Sequence, residues 1–315
     1  MILITGGSGF IGSYLISSLM NRSLLVCGRL KPPSIKAEKF ISFDLSKDLL
    51  KVETLTNVQT VIHCAAYVHV MNDSSSDPLF KFRQINTQAT VNLAKQAATA
   101  GVKRFIFLSS IKVNGESTES GIPFTSNYSA KPVDSYGLSK YEAELELMKI
   151  SQYSGMEIVI IRPPLVYGVG VKANFASLMN LVSKGVPLPF GCITQNKRSL
   201  VSVTNLVDLI ITCIDHPKAA NQVFLVSDDH DVSTSEMVRE MAKALDKPTW
   251  QLPIPIWCYQ LVGKLFEKSD VVDRLTGSLQ VDISHTKETL GWKPPQTLQE
   301  GFKQTAQAFL QAKTK

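Results

Sequence analysis

Residues 1–20 read MILITGGSGFIGSYLISSLM. An apolar, β-branched run from Ile2 to Thr5 passes straight into glycines, and an amphipathic stretch follows them. Gly6, Gly9 and Gly12 recur at every third position. A strand that turns through glycines into a helix offers three things to a dinucleotide pyrophosphate: a tight turn, close backbone approach without a Cβ, and N–H groups at a helix N-terminus. A glycine-rich turn without a ligand is the competing reading. The strand–turn–helix setting favours binding, and it assigns Gly6, Gly9, Phe10, Ile11 and Gly12 to a cofactor.

Working outward, residues 24–27, 40–43, 58–64, 104–109 and 157–162 read as further strands. Helical patterns separate several of them, most clearly over 83–100 and 135–154. Near-continuous apolar strands alternating with helices predict an α/β fold, a Rossmann-type doubly wound parallel sheet with both faces covered. After Pro163 and Pro164 the texture changes, and prolines, glycines and polar residues dominate 166–197. A helix over 204–214 and a strand over 222–226 then return. Helices are expected over 233–245 and 298–312, with a proline-rich aromatic stretch between them at 250–266. We therefore expect a dinucleotide-binding domain over 1–165 plus about 203–228, and a smaller C-terminal substrate lobe over 166–202 and 229–315. Residues 72–77, NDSSSD, read as a polar loop.

The 315 residues are ample for this plan, and 44% apolar with 19% charged residues is ordinary globular composition. The formal charge of +6 is scattered, with no basic run interleaved with aromatics, which leaves a nucleic-acid surface unsupported. Five cysteines without a CxxC pair read as reduced thiols, and five histidines without HxxxH or HExxH argue against a metal site. No apolar stretch reaches membrane-spanning length. A reduced, soluble, cytoplasmic protein is expected.

The end of the second strand should select the cofactor. An acidic residue there would accept hydrogen bonds from a ribose diol, yet the sequence has Cys27-Gly28-Arg29. A cation without a carboxylate suits a 2′-phosphate, so NADP is preferred to NAD, the alternative for Arg29 being a solvated side chain. Asp44 and Leu45 follow the third strand and could meet the adenine. Ala65 and Ala66 follow the fourth and are small enough for backbone to pass the cofactor.

Ser110 closes the fifth strand in FLSSIKVNG, and SYGLSK places Tyr136 and Lys140 four residues apart on one helix face. A phenol with an ordinary pKa of about 10 is a poor base, and a neighbouring ammonium favours the phenolate. Tyr136 would exchange a proton with a substrate oxygen, Lys140 would lower its pKa and hold the nicotinamide ribose, and Ser110 would bond the same oxygen. A YxxxK spacing arises easily by chance. Of eight tyrosines, however, only Tyr136 has a lysine four residues on, and it opens the helix after the fifth strand.

Together, TGGSGFIG, Ser110, YGLSK and RPPLVYG resemble the extended short-chain dehydrogenase/reductase family. With NKRSLV and LGWKPP, the resemblance narrows to nucleotide-sugar 4-epimerases, dehydratases and 4-keto reductases, and it runs over essentially the whole chain. It implies a homodimer and a nucleotide-diphospho sugar, UDP-hexose or UDP-N-acetylhexosamine. It also implies Pro163 beside the cofactor, Asn174 at the substrate diphosphate, Phe190 beside the base, and Arg198 and Arg274 on the phosphates. The plain alternatives are lobe core for Phe190 and surface charge for the arginines.

Departures from the family pattern bear on the reaction. UDP-galactose 4-epimerases commonly have asparagine at the place of Leu165, tyrosine at the place of Asn114, and a ribose-binding acid that is absent here. A 4-epimerase or a 4-keto reductase is expected, both moving hydride at sugar C4, with Arg29 and Leu165 favouring the reductase. A dehydratase fits less well, because Ile111-Lys112 follows Ser110 where that group carries an Asp-Glu pair. A non-catalytic NADP-binding regulatory or structural relative is the alternative from another class, and retention of Ser110, Tyr136 and Lys140 argues against it.

Overall fold

The computed structural model describes residues 1–68, 77–119, 121–127 and 132–313; the Asn174 side chain and most of the NDSSSD loop lie outside the described residues. Its strands are β1 (Ile2–Thr5), β2 (Leu24–Gly28), β3 (Phe40–Ser42), β4 (Thr60–His63), β5 (Arg104–Leu108), β6 (Glu157–Arg162), β7 (Leu165–Tyr167), β8 (Arg198–Ser202), β9 (Gln222–Leu225) and β10 (Asp231–Val232). Seven of them form one parallel sheet in the order β3-β2-β1-β4-β5-β6-β9. A second sheet has the order β10-β8-β7.

The helices are α1 (Phe10–Ser18), α2 (Val52–Leu55), α3 (Pro78–Phe82), α4 (Ala89–Thr99), α5 (Ser135–Ser154), α6 (Ala173–Ser183), α7 (Val203–Asp215), α8 (Thr234–Ala244), α9 (Ile256–Leu265), α10 (Ser269–Thr276), α11 (Ser284–Leu290) and α12 (Leu298–Lys313). The large sheet is covered on both faces, which is why its strands are apolar at consecutive positions. Ile4, Ile62, Ile106 and Ile161 point towards α1 and α7. Their neighbours Leu3, Val61, Phe105 and Ile160 point the opposite way, towards α4 and α5. The side-chain period of two thus splits one apolar run between two cores. A third core holds Tyr167, Phe175, Leu200, Met237 and Phe302, from β7, β8, α6, α8 and α12.

The six early strands fall where the sequence places them, within two residues, and the helix over 135–154 matches α5 to the residue. Two elements between residues 165 and 197 were not expected. One is β7, three residues directly after a proline pair, too short to show a period. The other is α6, whose apolar pattern is flanked by Gly168, Gly170, Gly185, Pro187 and Pro189 and is masked in any averaged window. The aromatic stretch 250–266 contains α9. The helix expected from residue 83 starts at Pro78 and passes through a π-turn at Arg83–Gln88 before α4. Such turns recur at functional sites.

Candidate active site

From β1 the chain builds outward one way to β2 and β3, then returns to lay β4 on the other side. Ligands of open α/β sheets bind at this switch point, beyond the carboxyl ends of the strands. The glycine loop lies there. Gly6 has φ +74°, and a Cβ on it would come within 2.6 Å of the Ala65 nitrogen. A Cβ on Gly12 would come within 2.2 Å of the Gly6 carbonyl oxygen. The Gly9 N–H donates to that oxygen at 2.9 Å, closing the turn. Gly9 then caps α1 without a side chain, and the first turn of α1 has no acidic residue. Its N–H groups have no intrahelical acceptor and present a positive dipole end. This uncapped helix end beside a backbone cradle fits a dinucleotide pyrophosphate.

Ser110, Tyr136 and Lys140 converge at the same edge of the sheet. Ser110 caps a short 3₁₀ turn after β5, its oxygen accepting from the Lys112 N–H at 3.2 Å. The Asp134 carboxylate caps α5, accepting from the N–H groups of Tyr136 at 3.0 Å and Gly137 at 3.2 Å. This fixes the first turn of the helix, and with it Tyr136. One turn on, Lys140 is buried and donates Nζ to the Leu108 carbonyl oxygen at 2.9 Å. Its ammonium sits 4.5 Å from the centre of the Phe107 ring.

Burial pulls Lys140 down to about 8, with Cys64 and Glu144 opposing it. Burial pushes the Tyr136 phenol up to about 12, while a hydrogen bond with Ser110 acts the other way. Desolvation, with the Asp134 charge acting in the same direction, thus raises the phenol where a lowering was expected.

The remaining expected residues are placed as follows. Arg29 is exposed just past β2. Asp44 is already engaged, accepting from the Ser46 N–H at 3.0 Å and its hydroxyl at 2.7 Å, which together with the Arg29 and Lys47 charges holds its carboxyl below the usual range. Leu45 and Ala65 are half-buried and Ala66 is exposed. Pro163 is buried and its carbonyl accepts from the Ile111 N–H at 3.0 Å, bringing the 162–168 segment to Ser110. Arg198 and Arg274 meet, with Arg198 Nη1 donating to the Arg274 carbonyl at 2.6 Å. Phe190 packs into the third core. Leu165 is 42% exposed.

Some polar residues beneath this edge were not singled out from the sequence. His63 hydrogen-bonds Thr5 Oγ1 through Nδ1 at 2.7 Å and Thr90 Oγ1 through Nε2 at 2.9 Å. Asn86, on the π-turn, brackets the backbone of Tyr67, accepting from its N–H at 2.7 Å and donating to its carbonyl at 2.9 Å. Glu144 pairs with Arg162. The signal was available in part: a histidine or arginine inside an otherwise apolar buried strand must find partners.

The family model described as the NAD dependent epimerase/dehydratase family matches residues 2–227. The chain belongs to this family. Across 314 residues it is 65% identical to a UDP-glucose 4-epimerase of Vibrio cholerae, covering 99% of this chain and 96% of that protein. Among solved structures it resembles UDP-glucuronic acid 4-epimerase from Bacillus cereus in complex with NAD, with a TM-score of 0.78, 18% identity and 99% coverage of both chains. UDP-glucose 4-epimerase with UDP-glucose from Thermotoga maritima gives a TM-score of 0.74 at 23% identity, again covering 99% of both. The likeness to these two structures is one of fold. No helix among the described residues is long and apolar enough to cross a membrane.

Proposed function

We propose that this chain transfers hydride at C4 of a UDP-hexose or UDP-N-acetylhexosamine as a 4-epimerase. The observation that carries the reading is the convergence of Ser110, Tyr136 and Lys140 on the cofactor edge of the sheet. The 65% identity to a UDP-glucose 4-epimerase supports the reaction. A bound nicotinamide dinucleotide, held at the glycine loop and beside Lys140, would supply a reversible hydride acceptor for C4.

The chain's own residues manage the oxygen at C4. Tyr136 takes its proton as hydride leaves and gives it back on return, with Ser110 bonding the same oxygen. A phenol pushed to about 12 is protonated at neutral pH, the form that returns the proton. The buried Lys140 cation, one turn along α5, favours the phenolate needed in the other half-reaction. Arg198 and Arg274 would hold the diphosphate about which a 4-keto sugar swings, and Asn174 would assist them.

Two side chains favour a 4-keto reductase as the second reading. Arg29 is an exposed cation where a ribose-binding acid would otherwise stand, chemistry that accepts the 2′-phosphate of NADP. Leu165 is an exposed apolar residue in a segment where an epimerase offers a polar sugar contact. A homodimer belongs to either reading, and size-exclusion chromatography tests it.

Denaturing the purified protein and identifying the released dinucleotide separates the two. Stoichiometric NAD, with interconversion of UDP-glucose and UDP-galactose or of their N-acetyl forms, supports the epimerase. An empty protein that binds NADPH more tightly than NADH overturns it in favour of the reductase.

A further inference from the structure

Below Tyr136 and Lys140 lies a buried polar chain that the reaction as written does not use. Tyr136, Lys140 and Glu144 recur at four-residue intervals along α5 and share one stripe of the helix. Glu144 is 4% exposed, yet both carboxylate oxygens are partnered. Arg162, at the end of β6, donates Nε to Oε1 at 3.0 Å and Nη2 to Oε2 at 2.5 Å. The Ser109 hydroxyl donates to the same Oε1. Arg162 also donates Nη1 to Asn114 Oδ1 at 3.0 Å, and Asn114 donates Nδ2 to the Thr125 carbonyl at 3.0 Å.

A buried ion pair is weak evidence for stability, because an apolar pair of similar volume often serves as well. Its location is informative instead. Glu144 lies one turn beyond Lys140, and its hydroxyl partner Ser109 is the residue before Ser110.

We propose that Glu144 is a positioning residue for hydride transfer: fixed by Arg162, its carboxylate holds Lys140 in the cationic form and, through Ser109, sets the strand end from which Ser110 meets Tyr136. This rests on the roles given above to Tyr136 and Lys140.

The groups around Lys140 single out Glu144. On its own helix stand Tyr136 and Glu144. From β5 come the Phe107 ring and the Leu108 carbonyl. From β4 and the residue after it come His63 and Cys64. Burial drives the His63 imidazole down to about 3 and the Cys64 thiol up to about 12, so both are neutral at physiological pH. From β6, Arg162 brings a second cation, already paired with Glu144. Among these described groups only Glu144 supplies negative charge, and it opposes the desolvation that pulls Lys140 down. Without that charge, the ammonium would lose its proton nearer neutral pH.

The test compares pH profiles of kcat for the wild-type holoenzyme, Glu144→Gln, Glu144→Asp and Tyr136→Phe. Glutamine keeps the size and one acceptor but removes the charge. The alkaline limb of its profile is expected to move down by about one pH unit, with kcat at pH 8 reduced by about fivefold and KM for the sugar nucleotide little changed. Aspartate keeps a charge farther from Lys140, and the same limb should move in the same direction by less. A limb that coincides with wild type in the glutamine variant, with lost activity tracking lost folded protein, overturns the proposal. Should the glutamine variant not fold, an unmoved limb in Glu144→Asp overturns it equally. Tyr136→Phe is the control: near-normal turnover there would sink the proposed mechanism itself, whereas an inactive control with an unmoved Glu144 limb would sink only this inference.

Discussion

Lys140 donates its ammonium to the Leu108 carbonyl oxygen at 2.9 Å, tying the second turn of α5 to the last residue of β5. The bond holds the lysine rigid while burial keeps its proton loosely bound, at about 8. A cation so placed is costly to bury, and in the mechanism proposed above it would favour the phenolate of Tyr136. Tyr136→Phe is therefore expected to lower kcat by about 10²- to 10⁴-fold, and Lys140→Met by a similar factor, with dinucleotide content retained in the tyrosine variant. Steady-state kinetics with the UDP-sugar, alongside cofactor release on denaturation, checks both.

The glycine loop gives a second expectation with a built-in control. Gly12→Ala would bring a Cβ within 2.2 Å of the Gly6 carbonyl, where backbone faces backbone and no side chain can yield. The loop must open, at a cost of about 1–3 kcal/mol, and the pyrophosphate cradle opens with it. Gly28→Ala meets nothing within 4 Å and leaves stability within about 0.5 kcal/mol. Thermal unfolding should separate the two variants, and undiminished dinucleotide content in Gly12→Ala would argue against the loop as the phosphate site.

How much of this was legible follows from what each residue needs. Ile2 to Thr5 and the glycines behind it announced a strand, a turn and a helix because each conformation has its own local chemistry. That Tyr136 and Lys140 share one helix face was legible through their four-residue spacing, together with their place at the start of the helix after the fifth strand. Glu144 was not, because its meaning depends on Arg162, eighteen residues on and in another element. Nor was α6, whose flanking glycines and prolines outweigh its apolar pattern. The phenol of Tyr136 shows the limit most clearly: a neighbouring lysine can be read from a sequence, whereas the desolvation that raises the phenol comes only with packing.

His63 makes stability depend on pH. Its ring is buried between Thr5 and Thr90, and burial drives its pKa down to about 3. The unfolded chain takes up a proton at the ordinary value of about 6.5, while the folded protein refuses it. Stability is therefore full above pH ~6.5 and falls as the pH drops towards 3, at about 1.4 kcal/mol per unit, or roughly 2 kcal/mol by pH 5. His63→Gln can still hydrogen-bond both threonines and should remove most of that slope. Urea unfolding of both proteins between pH 5 and 8 measures it, and parallel slopes would show that other groups carry the acid sensitivity.

In the function proposed above, Arg198 would bind the diphosphate rather than take part in the chemistry. Its guanidinium is half-buried and donates to the carbonyls of Arg274 at 2.6 Å and Gly277 at 3.3 Å, which orients it and brings the tail of α10 alongside. Burial pulls its pKa below the ordinary arginine value, so a fixed anion nearby would offset a desolvation already incurred. A charge-assisted contact to a diphosphate is worth about 1.5–3 kcal/mol, or roughly 10- to 100-fold in affinity. Arg198→Ala is expected to raise KM for the UDP-sugar by that factor while kcat changes less and cofactor content not at all. Arg274→Ala, whose own side chain is exposed and bonds only the Asp270 carbonyl among the described contacts, should raise KM by less. Titration with UDP alone refines the assignment: if UDP affinity is unchanged in Arg198→Ala, the diphosphate does not bind at this arginine and the substrate must lie elsewhere in the cleft.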